Sequence, residues 1–349
     1  MGTIAERVGV SRATVSNAYN RPDQLSADLQ ARIMEVAAAL GYPGPDPLGR
    51  MLRRRTAGAI GLVQPSLRFA LTDPANLMLL DGVAEECEAE GLALVLVPAT
   101  TPTEDFVDVL ASAAIDGVVA HCDSLDEARR AIVRSRQLPL VVLDGEADTD
   151  ARSIGIDDAG GARLAAEHVI ALGHRRVAVM ALGRSDGSIA SLVRERLSGY
   201  TSALERAGLD PPVVVATAGY ERRFGEAAAS ELLARPDRPT AILAMSDELA
   251  AGVLDAARSL DIQVPTALSV VGFDDTTTAS VAVPPLTTVH QDHAAKGRAA
   301  VAMLLDPTAD PHLRLPVEMV VRGSTAPPPH DDATEQPRTS NTAKSTKLP

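Results

Sequence analysis

Ile4-Ala5-Glu6-Arg7-Val8-Gly9-Val10-Ser11-Arg12-Ala13-Thr14-Val15-Ser16 is the stretch that decides the fold of the N-terminal part. Ile4, Ala5 and Val8 share one face of a short helix that stops at Gly9, and Thr3 with Glu6 has capping-box spacing. Val10 leads to Ser11, an N-cap residue for a second helix over residues 12–19. After the turn-forming Asn20-Arg21-Pro22-Asp23, Ser26 opens a third helix. Its Leu29, Ile33, Val36, Ala37 and Leu40 recur at helical spacing up to Gly41. Two short helices joined at Gly9-Val10 fit a helix-turn-helix. The pattern alone also fits a generic three-helix bundle with a polar outer face.

The second helix carries the chemistry. Val15 and Ala18 point to the core, while Arg12, Ala13, Ser16 and Asn17 face outward. Arg reaches guanine bidentately and Asn does the same for adenine, each contributing roughly 1–3 kcal/mol of discrimination. Ser11, Thr14 and Ser16 suit phosphate oxygens, which position a helix without reading sequence.

Charge follows this division. The whole chain of 349 residues has a formal charge of −13, yet residues 1–56 hold eight Arg against five acids, a net of +3. The remainder carries −16. A positive small domain is thus attached to an acidic body. Between them, Pro43, Gly44, Pro45 and Pro47 precede Arg50, Arg53, Arg54 and Arg55, a basic linker.

From residue 57 onward, unbroken apolar runs at 59–63, 92–97, 115–120, 138–143, 177–182, 213–216, 241–245 and 268–272 alternate with amphipathic stretches such as 77–90, 159–172, 195–207 and 247–260. Continuous runs mean strands covered on both faces, and βαβ alternation means parallel sheets. Eight such units exceed one comfortable open sheet, so two α/β lobes are expected. Apolar residues are 46% of the chain and aromatics 2%, so Ala, Val, Leu and Ile must build the core. Residues 326–349, rich in Pro, Thr, Ser, Lys and Asp, have no apolar periodicity and read as disordered.

Several function classes lose support. No apolar run is long enough to span a membrane, and no basic-then-apolar leader opens the chain. Cys87 and Cys122 lack metal or redox spacing and read as reduced buried thiols. Neither a dinucleotide fingerprint nor a phosphate-binding loop is present. No nucleophile elbow or paired-His metal motif appears. His168, His174, His290 and His293 therefore read as core, turn or surface residues. No enzyme, cofactor or metal is expected, and the compartment is cytoplasmic.

The opening stretch resembles the signature of the lactose-repressor (LacI/GalR) family. The similarity resumes at Leu40-Gly41-Tyr42, at residues 56–63, at Gly173-His174-Arg175-Arg176 and at Arg196-Leu197-Ser198-Gly199-Tyr200. It continues through Val264-Pro265, Ser269-Val270-Val271-Gly272-Phe273-Asp274-Asp275 and Pro284-Pro285-Leu286-Thr287-Thr288-Val289. The resemblance implies an all-α helix-turn-helix head followed by a two-lobed, periplasmic-binding-protein-like α/β effector domain with two parallel sheets. It places the head at 1–43, a hinge at 44–56 and the effector and dimerisation domain at 57–325. The N-lobe takes about 57–157 and 287–313, and the C-lobe about 158–286 and 314–325.

The resemblance also implies a homodimeric transcription regulator, a repressor on a near-palindromic double-stranded operator, controlled by a small-molecule effector such as a sugar. In that family the hinge folds on DNA and a leucine wedges into the minor groove; Leu52, after Arg50, matches it. Three departures are visible. The family's first helix usually begins earlier, which leaves a start upstream of Met1 open. Gly49 replaces the usual alanine, costing about 1 kcal/mol in a helix, and an insertion falls near Pro43-Gly44. Asn17 stands where relatives carry larger or charged readers.

Ligand in such an architecture sits at the C-terminal ends of the strands. Ser66, Asp157, Ser246, Asp247 and Asp274 occupy those ends. By resemblance, Arg196 is the effector-gripping arginine, whose planar fork holds vicinal hydroxyls or a carboxylate. Asp274 likewise matches an acceptor for sugar hydroxyls. Phe69 and Asp73 lie in the loop that closes the lid, and Gln291 lies near the last crossing. Ser246 replaces a common asparagine. Taken singly, Asp247 also reads as a helix cap, Arg196 as a surface ion pair and Asp275 as structural. A solute-binding protein and a sugar- or nucleotide-transforming enzyme are the rival readings of the α/β body.

Overall fold

The computed structural model describes residues 1–42, 44, 56–99, 106, 109, 110, 112–121, 124–145, 151–182 and 191–329. Three helices form the head: α1 (Gly2–Val8), α2 (Arg12–Asn20) and α3 (Ala27–Ala39). Ile4, Val15, Ala18, Ile33 and Ala37 close a small core between them. Gly9 ends α1 at φ 77, a left-handed conformation that suits glycine. Ser11 and Ser26 cap α2 and α3, accepting from Thr14 N at 3.0 Å and Leu29 N at 3.4 Å. The Thr3–Glu6 capping box does not form. Helix α1 already starts at Gly2, which puts Thr3 inside the first turn, and Met1 at the cap makes no side-chain bond.

The body follows as β1 (Ala59–Gln64), α4 (Leu67–Thr72), α5 (Pro74–Ala89), β2 (Ala93–Pro98), β3 (Gly117–His121), α6 (Glu127–Ser135), β4 (Leu140–Leu143) and β5 (Arg152–Ile156). Next come α7 (Asp158–Ala171), β6 (Val177–Ala181), α8 (Ser191–Arg206), β7 (Val213–Ala216), α9 (Arg222–Leu233), β8 (Ala241–Ala244) and α10 (Asp247–Ser259). The order ends with β9 (Ser269–Asp274), α11 (Thr277–Val281), β10 (Thr287–Gln291), α12 (His293–Leu305), β11 (His312–Leu315) and β12 (Val317–Val320).

Among the described residues the strands form two six-stranded sheets, ordered β11-β5-β4-β3-β1-β2 and β12-β10-β9-β8-β6-β7. Among these described pairings only β10–β12 is antiparallel. Every residue of β1, β6, β8 and β9 is buried, as continuous apolar runs require of strands covered on both faces.

The chain passes between the lobes after β5, after β10 and between β11 and β12. Asp157 and Asp292 cap the helices that begin the first two passages, accepting from Gly160 N at 2.9 Å and Ala295 N at 2.8 Å. This moves one expected boundary. Residues 287–291 belong with the second sheet, because β10 pairs with β9 and β12; the crossing comes at Asp292, and α12 then packs on the first lobe. Helix α12 approaches α5 closely: a Cβ on Gly82 would lie 1.9 Å from Ala294 O. The ordered chain also runs past 325, since Ala326 N donates to Ser269 Oγ at 3.0 Å. His174 is structural, its ring held by Thr240, Ser269 and Ala326 O. Cys87 is a buried free thiol, and Cys122 lies outside the described residues.

Candidate functional site

On the head, α2 presents Ser11, Arg12 and Ala13 exposed and Thr14, Ser16 and Asn17 partly so, while Val15 and Ala18 are buried. The Ser11 hydroxyl both caps the helix and bonds the Thr14 hydroxyl at 2.9 Å. Ser16 is tied down by Asn20, whose Nδ2 donates to Ser16 O at 2.9 Å. Asn17 Nδ2 reaches Gln24 Oε1 at 3.4 Å, a weak contact that a stronger partner displaces. The expected readers therefore share one outward face. Arg50 and Leu52 lie outside the described residues.

The body holds a cavity of about 550 Å³ between the lobes, at the C-terminal ends of the strands. Ser66, Phe69, Asp73, Arg196, Ser246, Asp274 and Gln291 all line it. Ser66, Asp73 and Ser246 also cap helices, which fixes their directions: they accept from Phe69 N, Asn76 N and Leu249 N. At the mouth, the Phe69 ring of the first lobe meets Tyr220 of the second edge-on, centroids 4.9 Å apart.

Arg196 is not a surface ion pair. It is 5% exposed, its Nε donates to Asp158 Oδ1 at 2.7 Å, and its guanidinium lies 3.6 Å from the centroid of the Phe273 ring. Pairing and stacking together hold the fork in one plane. Asp274 ends β9 at φ 111, a backbone region that a non-glycine residue rarely adopts. Its Oδ1 accepts from Gln291 Nε2 at 2.7 Å. Gln291 Oε1 accepts from Lys296 Nζ at 2.8 Å, and that ammonium also reaches Asp144 Oδ1 at 2.5 Å. Although burial works against its charge, Asp144 is held below the ordinary carboxylate range by Lys296. A hydrogen-bonded chain from Asp274 to Asp144 thus ties the two lobes together at the crossing.

Two expected residues do not line the cavity. Asp157 is turned into its own helix end as the crossing cap. Asp247 is fully buried and accepts from Thr276 N (2.7 Å), Thr276 Oγ1 (3.1 Å) and Thr288 Oγ1 (2.6 Å). It is not the cap of α10, a role taken by Ser246. Glycine at 272 leaves room for it, as a Cβ there would sit 2.3 Å from Asp247 Oδ1. Burial and the neighbouring Asp274 push the Asp247 carboxyl upward. Its contribution is to anchor the turn that presents Asp274. Asp275 is structural as well, bonded by Arg322 Nη2 at 2.6 Å and His290 Nδ1 at 3.0 Å.

The cavity also contains residues that sequence reasoning missed, among them Asn76, His121, Asp144, Tyr220 and His293. His121 and Asp144 stand at the ends of β3 and β4, so the strand-end rule that selected Ser66 selects them too when applied to every run. Asp73 faces the cavity with its carboxyl pushed up to about 7, mainly by burial and secondarily by Asp274 and Glu248, against the lowering bond from Asn76 N. No group of His, Cys, Asp and Glu able to hold a metal ion occurs among the described residues. No described helix is long and apolar enough to cross a membrane.

Comparison with known proteins bears on both sites. A family profile described as "Bacterial regulatory proteins, lacI family" matches residues 1–44, and one described as "Periplasmic binding protein-like domain" matches 166–325. An HTH-type transcriptional regulator of Mycolicibacterium smegmatis is 41% identical, over 94% of this chain and 96% of its own. The ribose operon repressor of Escherichia coli is 32% identical, over 90% and 94%. The solved Lac repressor dimer bound to operator and the anti-inducer ONPF superposes with a TM-score of 0.80 at 27% identity, covering 93% of this chain and 98% of that one.

Proposed function

The chain belongs to the LacI family of bacterial transcriptional regulators, and from that premise we propose that a cytoplasmic homodimer binds a near-palindromic operator and releases or grips it according to a sugar-like effector held between its lobes. The head comprises 1–43, the hinge 44–56 and the effector domain 57 to just past 325. Arg12 and Asn17 read bases, Ser11, Thr14 and Ser16 meet phosphates, and Ala13 lets the helix approach closely. Arg50 and Leu52 serve the hinge, Leu52 as the minor-groove wedge.

The observation that carries this reading is the presence of a rigid guanidinium, Arg196, and hydroxyl-accepting carboxylates, Asp73 and Asp274, in one interlobe cavity. That donor-acceptor set matches a polyhydroxylated molecule and repels a polyanion. The effector acts only through unequal affinity for two lobe arrangements, which set the separation of the paired heads. Selection of bound duplexes from random DNA, followed by titration of the selected duplex with neutral sugars, tests it. A preferred near-palindrome whose affinity shifts with one sugar supports the proposal, and no preference for any duplex at moderate salt defeats it.

A further inference from the structure

Helices α5 and α12 lie against each other on the first lobe, and their N-terminal ends bring Asn76 and His293 to the same wall of the cavity. Both are buried, Asn76 at 4% exposure and His293 at 7%. Among the described residues, each keeps one polar atom without a partner: Asn76 Oδ1 and His293 Nε2. The Asn76 amide is not free to turn round, because its Nδ2 donates to Ala70 O at 3.0 Å and that carbonyl needs a donor. His293 Nε2 stands 3.7 Å from Asp274 Oδ1, too far for a hydrogen bond, and that oxygen is already engaged by Gln291. Buried polar atoms are seldom left unpaired in folded proteins, and each one costs stability.

We propose that Asn76 and His293 form a hydroxyl-reading subsite: one effector hydroxyl donates to Asn76 Oδ1, and another bonds His293 Nε2 while donating to Asp274. The inference rests on the effector reading above and adds which face of the ligand is read from the first lobe. A ligand offering hydroxyls on that face pairs both atoms. An alkyl or aryl group there seals them off unpaired, and sites built to bond a hydroxyl discriminate strongly against analogues lacking it. The arrangement therefore selects free sugars over glycosides whose aglycone faces α5 and α12.

Thermal unfolding of the full-length dimer tests this with D-ribose, D-glucose, D-galactose and cellobiose, and with the methyl and phenyl glycosides of the three monosaccharides. The variants are His293→Phe, His293→Asn and Asn76→Leu. Without ligand, His293→Phe should unfold at or above the wild-type temperature, because an unpaired buried nitrogen is replaced by carbon. A fall of several degrees means that His293 has a structural partner, and it overturns the subsite. With ligand, the sugar that stabilises the wild type most should bind about tenfold or more weakly to His293→Phe and to Asn76→Leu. His293→Asn, which can still bond a hydroxyl, should recover part of that loss. Unchanged affinity in both apolar variants, or wild-type preference for a phenyl glycoside over its free sugar, also overturns it. If no sugar stabilises the wild type, the polyhydroxylated-effector reading fails, whereas the ligand-free comparison still decides whether His293 is a structural residue.

Discussion

On the second-lobe wall of the cavity three polar groups are already paired: Arg196 with Asp158, Asp274 with Gln291, and Asp247 beneath them with three donors. On the first-lobe wall, Asn76 and His293 have atoms unpaired among the described residues, and Asp73 has a carboxyl displaced toward neutrality. One wall is preorganised, so a ligand meeting it pays little ordering entropy. The other gains partners only when something occupies the cavity, which makes closure on a ligand more favourable than closure on nothing. Differential stabilisation of this kind is what a ligand-driven switch requires.

The comparison breaks most severely at Arg196. Its side chain and that of Asp158 are 6% and 7% exposed, so Arg196→Ala leaves a buried carboxylate without its cation. Loss of about 3–5 kcal/mol is expected, together with loss of effector response and retention of operator affinity at temperatures where the variant stays folded. Denaturant unfolding and operator titration check the two parts separately. Next comes Asp247→Ala, which strands Thr276 N and two threonine hydroxyls. A cost of about 3 kcal/mol or more follows from leaving those donors unmet, and effector affinity should fall because the Asp274 turn loosens. If stability is unchanged, Asp247 does not anchor that turn.

The same contrast explains what could be read from the sequence. Ser66, Ser246 and Asp274 follow uninterrupted apolar runs, so the ends of their strands were visible, and so was the polar rim they form. Strand β10 was harder to place, because Thr287, Thr288, His290 and Gln291 leave Val289 as its one aliphatic residue. Placed with the first lobe, it displaces the crossing by about one strand. Asp157 follows a strand just as Ser66 does, but an acid at a helix start either caps or faces the cleft, and only the backbone direction decides. His293 sits directly after such a cap. Its significance lies in a missing partner, and residue spacing carries no record of that. In the head, by contrast, local capping and period determine nearly everything, so the exposed face of α2 was legible almost residue by residue.

Arg12 sharpens the distinction between head and body. Arg12→Ala should lower operator discrimination by about 1–3 kcal/mol, while effector affinity and the unfolding temperature of the body stay unchanged. Binding to matched and mismatched duplexes separates lost base reading from lost charge, since a phosphate contact weakens all sequences alike and reduces the salt dependence.

The last expected effect is a pH dependence to which the first-lobe wall contributes through Asp73 and the second lobe through Asp247. In the folded chain Asp73 keeps its proton up to about pH 7, whereas a carboxyl in the unfolded chain loses it near pH 4. Between those values the folded state binds the extra proton, so the contribution of Asp73 to stability falls as pH rises through that window and levels off above about 7. Asp73→Asn, which carries no titrating proton, should lessen the fall in stability across pH 4.5, 6 and 7.5 in denaturant unfolding, leaving the part that Asp247 contributes. Effector affinity should run the opposite way. An ionised Asp73 is the better hydroxyl acceptor, so binding tightens from pH 6 to 8 in the wild type and stays level in Asp73→Asn. Parallel pH profiles for the two proteins would place the titrating group elsewhere in the cleft and leave Asp73 as the cap of α5 alone.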